Sequence, residues 1–158
     1  MTGVETYLRQ LDDAWEHKWE SLRAVLDGVS EEEAAWQPPC YAAEEREEGW
    51  PPPGTIRWQV AHIAHCKRHY ALLIRSPDSV DRPPVPERTP SASLEEDRAE
   101  LDAAHNDQRA AIADLEDADL QKVVGNGMRM DEFLAMVIRH DTWHAGQTAL
   151  ARRLWRTK

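Results

Sequence analysis

The chain has 158 residues, and its 19 Lys and Arg against 29 Asp and Glu give a formal net charge of −10. This acidic balance argues against general nucleic-acid binding, which needs a basic surface. No run of about 20 apolar residues is present to span a membrane, and the first residues lack the regions of a signal peptide. Two cysteines do not make a disulfide scaffold. We therefore expect one cytoplasmic domain over residues 1–158, of a prokaryotic kind, with no nucleic-acid or membrane partner.

The first predicted element is a long amphipathic helix over Val4–Leu26. Apolar residues recur there at three- and four-residue steps, which is typical of one buried stripe. Trp15 and Trp19 belong to this stripe. His17 lies off it, so we expect a solvated histidine there and not a metal ligand.

A short helix and an acidic loop come next. Ser30–Glu33 has the form of a capping box, which predicts a short helix that ends by Trp36. Pro38–Gly54 is rich in Pro and Glu, so we expect a loop whose charges face solvent. Its apolar residues, Trp50 among them, are expected to fold back over the domain as part of a lid.

The second long helix is predicted over residues 56–75, where apolar positions again follow a helical period. His62, His65 and His69 lie within about 60° of one another on one side of it. Cys66 is one turn after His62 on nearly the same side, and we interpret it as a buried thiol.

A proline-rich segment separates this helix from the third. Ser76–Pro90 contains five prolines and cannot be helical. We interpret it as a long crossover within one domain, because neither flank could bury a core alone. Ser93–Glu96 is a second capping box, and it opens a third helix over Leu94–Leu115. His105 and Gln108 lie close to the thin apolar stripe of this helix, so we expect them to face the interior.

A connector leads to the fourth helix. Asp117–Met130 contains a turn signal at residues 125–127 that would allow a small hairpin. Asp131 is then predicted to cap a helix that continues to Trp155.

The fourth helix carries the chemically most informative motif. His140 and His144 are four residues apart, which places both imidazoles on one helical face at chelating distance. Gln147 lies one turn further along that face. The same spacing is also typical of two partly buried core histidines, so a second group of histidines is needed to favour a metal.

Four long amphipathic helices without a convincing sheet predict an all-α fold, a four-helix bundle. Metal sites in such bundles are built from side chains on facing helices. A histidine of the second helix is therefore expected to meet the pair on the fourth.

Two stretches carry a family likeness. Thr55–Cys66 (T-I-R-W-Q-V-A-H-I-A-H-C) and His140–Leu150 (H-D-T-W-H-A-G-Q-T-A-L) together resemble the DinB/YfiT-like superfamily. The resemblance implies a bacterial four-helix bundle of up-down-down-up topology, with a long crossover between helices two and three. It also implies a three-histidine metal site, whose ligands by position would be His62, His140 and His144.

His65 is a second candidate on helix two. We prefer His62 because its distance from Thr55 matches the family's helix start. His65, Gln147 and Trp58 are then expected around the site, where they would hydrogen-bond a ligand or line a pocket.

Three neutral imidazoles without a fourth protein ligand describe an open site that keeps an exchangeable group. Zinc is the expected divalent metal and nickel is an alternative, since imidazole accepts both. Relatives of this likeness include mycothiol-dependent maleylpyruvate isomerase and bacillithiol-type S-transferases. The resemblance therefore implies a metal-dependent transferase or isomerase that uses a low-molecular-weight thiol.

Two other functions stay open. The first is a non-catalytic, stress-associated metal-binding protein. The second is a metal-dependent hydrolase, since H-D-T-W-H is close to H-E-x-x-H with Asp141 in the position of the general base. Asp is one methylene shorter than Glu and would reach a metal-bound water poorly.

Assembly is the last expectation. Proteins of this likeness are often homodimers, and Trp36, Trp50, Leu154 and Trp155 are surplus apolar residues that could form an exposed patch.

Overall fold

A computed structural model describes residues 1–45, 47–77, 91–125 and 127–158, which form six α-helices and no β-strand. The all-α fold class is therefore confirmed for this part of the chain. The helices are α1 (Gly3–Glu16), α2 (Leu22–Leu26), α3 (Glu31–Ala35), α4 (Ile56–Arg75), α5 (Leu94–Ala113) and α6 (Met130–Trp155), and two short 3₁₀ segments lie at Pro39–Tyr41 and Asp117–Gln121.

The prediction of one helix over Val4–Leu26 is wrong, because α1 ends at Glu16 and a separate helix, α2, begins at Leu22. His17 leaves the helical conformation with ψ 121°, and α2 begins only after Ser21. The Ser21 hydroxyl accepts a hydrogen bond from the Ala24 N–H, so it caps a new helix instead of continuing the old one. Trp19, expected in the buried stripe, lies in this break and is exposed.

The helix predicted over residues 56–75 is confirmed, and Thr55 caps it by accepting a hydrogen bond from the Trp58 N–H at 3.0 Å. The third helix starts at Leu94 as expected. It ends at Ala113, two residues before the predicted end.

The N-cap of α6 lies two residues before the predicted one. Arg129, not Asp131, is the N-cap residue, and its N–H donates to the Glu132 carboxylate at 3.3 Å. Asp131 lies in the first turn, where it pairs with the Arg129 guanidinium at 2.5 Å. An acidic side chain inside the first turn still interacts favourably with the helix dipole.

The predicted hairpin before α6 is reduced to a single antiparallel bridge between Val123 and Arg129. Inside it the Val124 N–H donates to the Met128 carbonyl at 2.9 Å. Residue 126 lies outside the described residues.

Ion pairs show the directions of the long helices. Arg57 pairs with Asp97 at 2.7 Å, and further along both helices Arg75 pairs with Asp107 at 2.6 Å. Residue numbers therefore rise together, so α4 and α5 run parallel. Parallel neighbours need a connection that returns along their length. The sequence predicts this crossover at Ser76–Pro90, of which residues 78–90 lie outside the described residues.

Two other pairs of neighbouring helices are antiparallel. Gln59 and Lys67 of α4 contact His144 and Asp141 of α6, so the residue numbers run in opposite senses. Helix α1 runs antiparallel to α5 in the same way, since Asp12 pairs with Arg109 and Trp15 stacks on His105. Helix α1 also packs against α6, which closes the arrangement.

The interior consists of two apolar clusters that occupy opposite ends of the long helices. The first includes Trp15, Leu22, Ile56, Ile63, Leu101 and Ala145. The second includes Leu11, Ala71, Ile112, Met130, Phe133 and Val137.

Between these clusters lies a buried polar layer, formed by Lys67, His105, Gln108 and Asp141. The Lys67 side chain is 1% exposed, and its ammonium group donates to the Asp141 carboxylate and, at 3.1 Å, to the Gln108 amide oxygen. The same ammonium lies 5.2 Å from the ring centre of Trp15, which stacks on His105. The expectation that His105 and Gln108 face the interior is met.

Leu154 is the one exposed residue of the four that were expected to form an apolar patch for a homodimer. Trp36 and Trp155 are half-buried and pack edge-on against each other at 5.9 Å, and Trp50 packs on Trp58. Leu154 is 40% exposed. On the same helix, Trp143 is 67% and Leu150 is 57% exposed.

No helix within the described ranges is both long and apolar enough to cross a membrane.

The polar layer leads to a stability prediction. Lys67→Met should lower the free energy of unfolding by about 3–5 kcal/mol, because it leaves the buried Asp141 carboxylate without a counter-charge. The double variant Lys67→Met/Asp141→Leu should recover most of that loss. Chemical denaturation of the metal-free variants measures both. Arg75→Met is the control, since this exposed ion pair is worth at most about 1 kcal/mol. A loss for Lys67→Met no larger than for Arg75→Met would contradict the interpretation.

Candidate metal centre

Two pairs of potential metal ligands face each other across the antiparallel helices α4 and α6. Helix α4 carries His62 and Cys66, and α6 carries His140 and His144. Each pair has the i, i+4 spacing that places two side chains on one helical face. The site lies beside the polar layer, because Cys66 precedes Lys67 and His140 precedes Asp141.

The three predicted histidines come together. The Nε2 atoms of His140 and His144 are 3.1 Å apart. The His62 ring centre lies 4.8 Å from that of His144 and 5.5 Å from that of His140. His62 and His140 are half-buried and His144 is buried.

Cys66 joins this group, although the sequence analysis treated it only as a buried thiol. Its Sγ lies 3.5 Å from the Nε2 of His62. The ligand atoms of His62, Cys66 and His140 all lie within 4.8 Å of one another, so these residues could hold a metal ion. The sequence contained a signal for this contact, since Cys66 follows His62 by one helical turn.

Burial keeps the three imidazoles neutral. It lowers the pKa of His62 to about 4, with a further contribution from His140, and it lowers the pKa of His144 to about 4 in the same way. The pKa of His140 is also lowered, again mainly by burial. Near neutral pH each ring therefore has an unprotonated nitrogen that can bind a metal.

Burial also favours the neutral form of the Cys66 thiol, although the pKa shift has the opposite direction. It raises the pKa of Cys66 to about 11, and a hydrogen bond with Tyr70 partly opposes this shift. Without a metal, Cys66 is a neutral thiol near neutral pH. A coordinating metal would remove that proton.

Gln59 is a site residue that the sequence analysis missed. It is buried on α4, and its Oε1 lies 2.5 Å from the Nδ1 of His144. Donation of the Nδ1 proton to this amide oxygen leaves the Nε2 of His144 unprotonated and directed at the Nε2 of His140. Gln59 lies three residues before His62, on a neighbouring part of the same helical face. This spacing is the one feature of the sequence that indicates its role at the site.

Trp58, His65 and Gln147, which were predicted to surround the site, lie at different positions around the three histidines. Trp58 stacks on His62 with ring centres 4.9 Å apart and an interplanar angle of 7°. His65 packs against Trp50, at 5.5 Å between ring centres, and its charge contributes to the lowered pKa of His62. Gln147 slightly opposes the lowering of the pKa of His144.

The loop before α4 also reaches the site. Trp50 lies 6.4 Å from Trp58 between ring centres, so it folds back as expected. Cys40 and Tyr41, which were expected to fold back with it, are exposed. Tyr70 closes another side, with its ring edge-on to His140 at 5.7 Å. The imidazoles are thus bordered by aromatic rings on two sides.

The position of Asp141 does not support a role as the general base of a hydrolase. Its carboxylate is buried and bound to the Lys67 ammonium group within the polar layer. His17, which was expected to lie outside the site, is at the end of α1 beside Glu20, 3.9 Å away.

Comparison with known families is consistent with this geometry. The family model of the DinB superfamily matches residues 14–148, a span that includes α4, α6 and all four potential ligands. The chain belongs to the DinB superfamily. No curated protein matches it.

Proposed function

We propose that this protein holds one divalent metal ion with His62, His140 and His144. The observation that carries the proposal is the convergence of these rings, above all the 3.1 Å between the Nε2 atoms of His140 and His144. Two nitrogens bound to one tetrahedral zinc ion at 2.0–2.1 Å are separated by about 3.3 Å. Family membership supports the proposal, because the DinB superfamily is metal-binding.

The proposed frame is a four-helix bundle of α1, α4, α5 and α6 in up-down-down-up order. The directions described above support it, with α4 parallel to α5, α6 antiparallel to α4 and α1 antiparallel to α5. In this frame the ligands lie on the inner faces of the adjacent helices α4 and α6.

Zinc is the metal we propose, with nickel as an alternative. Neutral imidazoles bind both ions, and the pKa values of about 4 for His62 and His144 keep them available at physiological pH. Because protonation competes with the metal, affinity should be maintained near neutral pH and should fall only as the pH approaches about 4, the pKa of His62 and His144.

The activity we propose is metal-dependent transfer or isomerisation that uses a low-molecular-weight thiol, in the cytoplasm of a bacterium. A bound divalent ion lowers the pKa of a coordinated thiol or water and so provides a nucleophile near neutral pH. The residues of this chain would orient the reactants. Trp58 and Trp50 offer apolar surface beside His62, and Gln59 holds the ring of His144.

A second candidate is metal binding without turnover. The observation that favours it is Cys66, whose sulfur lies 3.5 Å from the Nε2 of His62. Structural zinc sites have four protein ligands, commonly with thiolates, whereas catalytic sites keep one position open. The ion pair between Lys67 and Asp141 argues against the third candidate, a hydrolase with Asp141 as general base.

We also propose that the protein forms homodimers through α6. Trp143, Leu150 and Leu154 recur at seven- and four-residue steps on this helix and are exposed, so they form one outward apolar stripe. Gly146 lies within the stripe, and a Cβ atom there would meet nothing within 4 Å. A second copy of this helix could therefore approach closely.

The metal proposal predicts about one divalent ion per chain, by analogy with other three-histidine centres, in protein purified without a histidine tag. His144→Ala should abolish occupancy. Gln59→Leu should lower affinity by about 10–100-fold, because the His144 ring loses the acceptor that orients it. His17→Ala is the control and should leave binding unchanged. Elemental analysis and competition with a chelating indicator measure these effects, and equal losses in the His144 and His17 variants would refute the assignment.

The thiol proposal predicts that the metal-loaded protein consumes an electrophile only when a thiol is supplied. Mycothiol, bacillithiol and glutathione are tested in turn, with the disappearance of the electrophile as the readout. Metal-free protein and His144→Ala are the controls and should show only the uncatalysed rate. The absence of catalysis with all three thiols would favour metal binding without turnover.

The dimer proposal predicts that sedimentation finds two chains in the wild-type particle. Leu150→Glu should yield a folded monomer, because it places a charge in the apolar stripe. Val123→Glu is the matched control, since Val123 is a similarly exposed apolar residue that is not part of α6. A monomeric wild type would contradict the proposal.

A further inference from the structure

The two ligand pairs have the same internal geometry. On α4, His62 and Cys66 are spaced i, i+4, and on α6, His140 and His144 have the same spacing. Because the helices run antiparallel, the pairs face each other across the helix interface. An arrangement of two donors from each of two helices has the number of ligands that a tetrahedral ion takes.

The distances within each pair fit such an ion. With zinc–nitrogen bonds of 2.0–2.1 Å and a zinc–sulfur bond of 2.3 Å, two nitrogens lie about 3.3 Å apart and a nitrogen and a sulfur about 3.6 Å apart. The corresponding distances here are 3.1 Å between His140 and His144, and 3.5 Å between His62 and Cys66. The sulfur therefore lies at the separation from the His62 nitrogen that shared coordination requires, and it lies within 4.8 Å of a ligand nitrogen of His140.

We propose that the Cys66 thiolate is the fourth protein ligand, which turns the three-histidine centre into a His₃Cys centre. This inference rests on the proposed metal site. On metal binding the Cys66 S–H bond would break, a sulfur–metal bond would form and the proton would pass to solvent.

A fourth protein ligand changes how the centre meets an external thiol. Cys66 would occupy the coordination position that a small thiol would take at an open three-histidine site. An incoming thiol must then displace Cys66 or raise the coordination number to five. The thiolate also makes the donor set softer, which favours zinc over ions that prefer oxygen ligands.

Cobalt substitution tests the assignment, because a thiolate bound to cobalt gives a charge-transfer band that imidazoles do not give. Under argon and without added thiol, the cobalt-loaded wild type should show this near-ultraviolet band together with the visible bands of a four-coordinate ion. Cys66→Ser should lose the charge-transfer band and keep visible bands. Cys40→Ser is the matched control, since Cys40 is exposed on a separate 3₁₀ segment, and it should keep both.

A second measurement tests whether an external thiol takes the metal-coordination position that Cys66 leaves open in the Cys66→Ser variant. Addition of 2-mercaptoethanol to cobalt-loaded Cys66→Ser should restore a charge-transfer band, at a thiol concentration that leaves the wild-type spectrum unchanged. Equal responses of the two proteins would overturn the idea that Cys66 holds that position.

The outcomes separate this inference from the metal proposal. Visible cobalt bands without a charge-transfer band in the wild type would overturn the role of Cys66 and leave the three-histidine site in place. Loss of the band in Cys40→Ser instead of Cys66→Ser would also overturn it. A wild type that binds no cobalt would overturn the metal site and the fourth ligand together.

Discussion

The register of α4 against α6 depends on one buried interaction, the ion pair between Lys67 and Asp141. Each partner is the immediate neighbour of a potential ligand, Cys66 on α4 and His140 on α6. A shift of either helix by one turn would separate the charges and leave both buried without a partner, which is costly. Hydrophobic packing alone is less directional. The ion pair therefore provides a specific reason for the two ligand pairs to face each other.

Burial then prepares the site chemically. It keeps the imidazoles neutral and their nitrogens available, and the hydrogen bond from His144 to Gln59 selects which nitrogen points inward. The same burial keeps the Cys66 thiol protonated until a metal compensates its charge. Acid acts against both features of a loaded site, because it charges the imidazoles and reprotonates the sulfur. The folded arrangement and the metal affinity thus depend on the same desolvation.

Part of this arrangement could be predicted from local sequence. Thr55 and the apolar period fixed the bounds of α4, and the i, i+4 spacing placed His140 and His144 on one face. The break after His17 was missed because the apolar period continues through it, while Ser21 offers a competing cap. The contact of Gln59 with His144 joins residues 85 positions apart, so it follows from helix register and not from any local pattern.

The convergence of His62, His140 and His144 on one ion is the central claim, and anomalous diffraction from crystals of zinc-loaded protein tests it most directly. The structure predicts a single strong anomalous peak per chain at the zinc edge, about 2.0–2.1 Å from the Nε2 atoms of these three histidines. A peak at another place, or coordination by His65 in the position of His62, would contradict it.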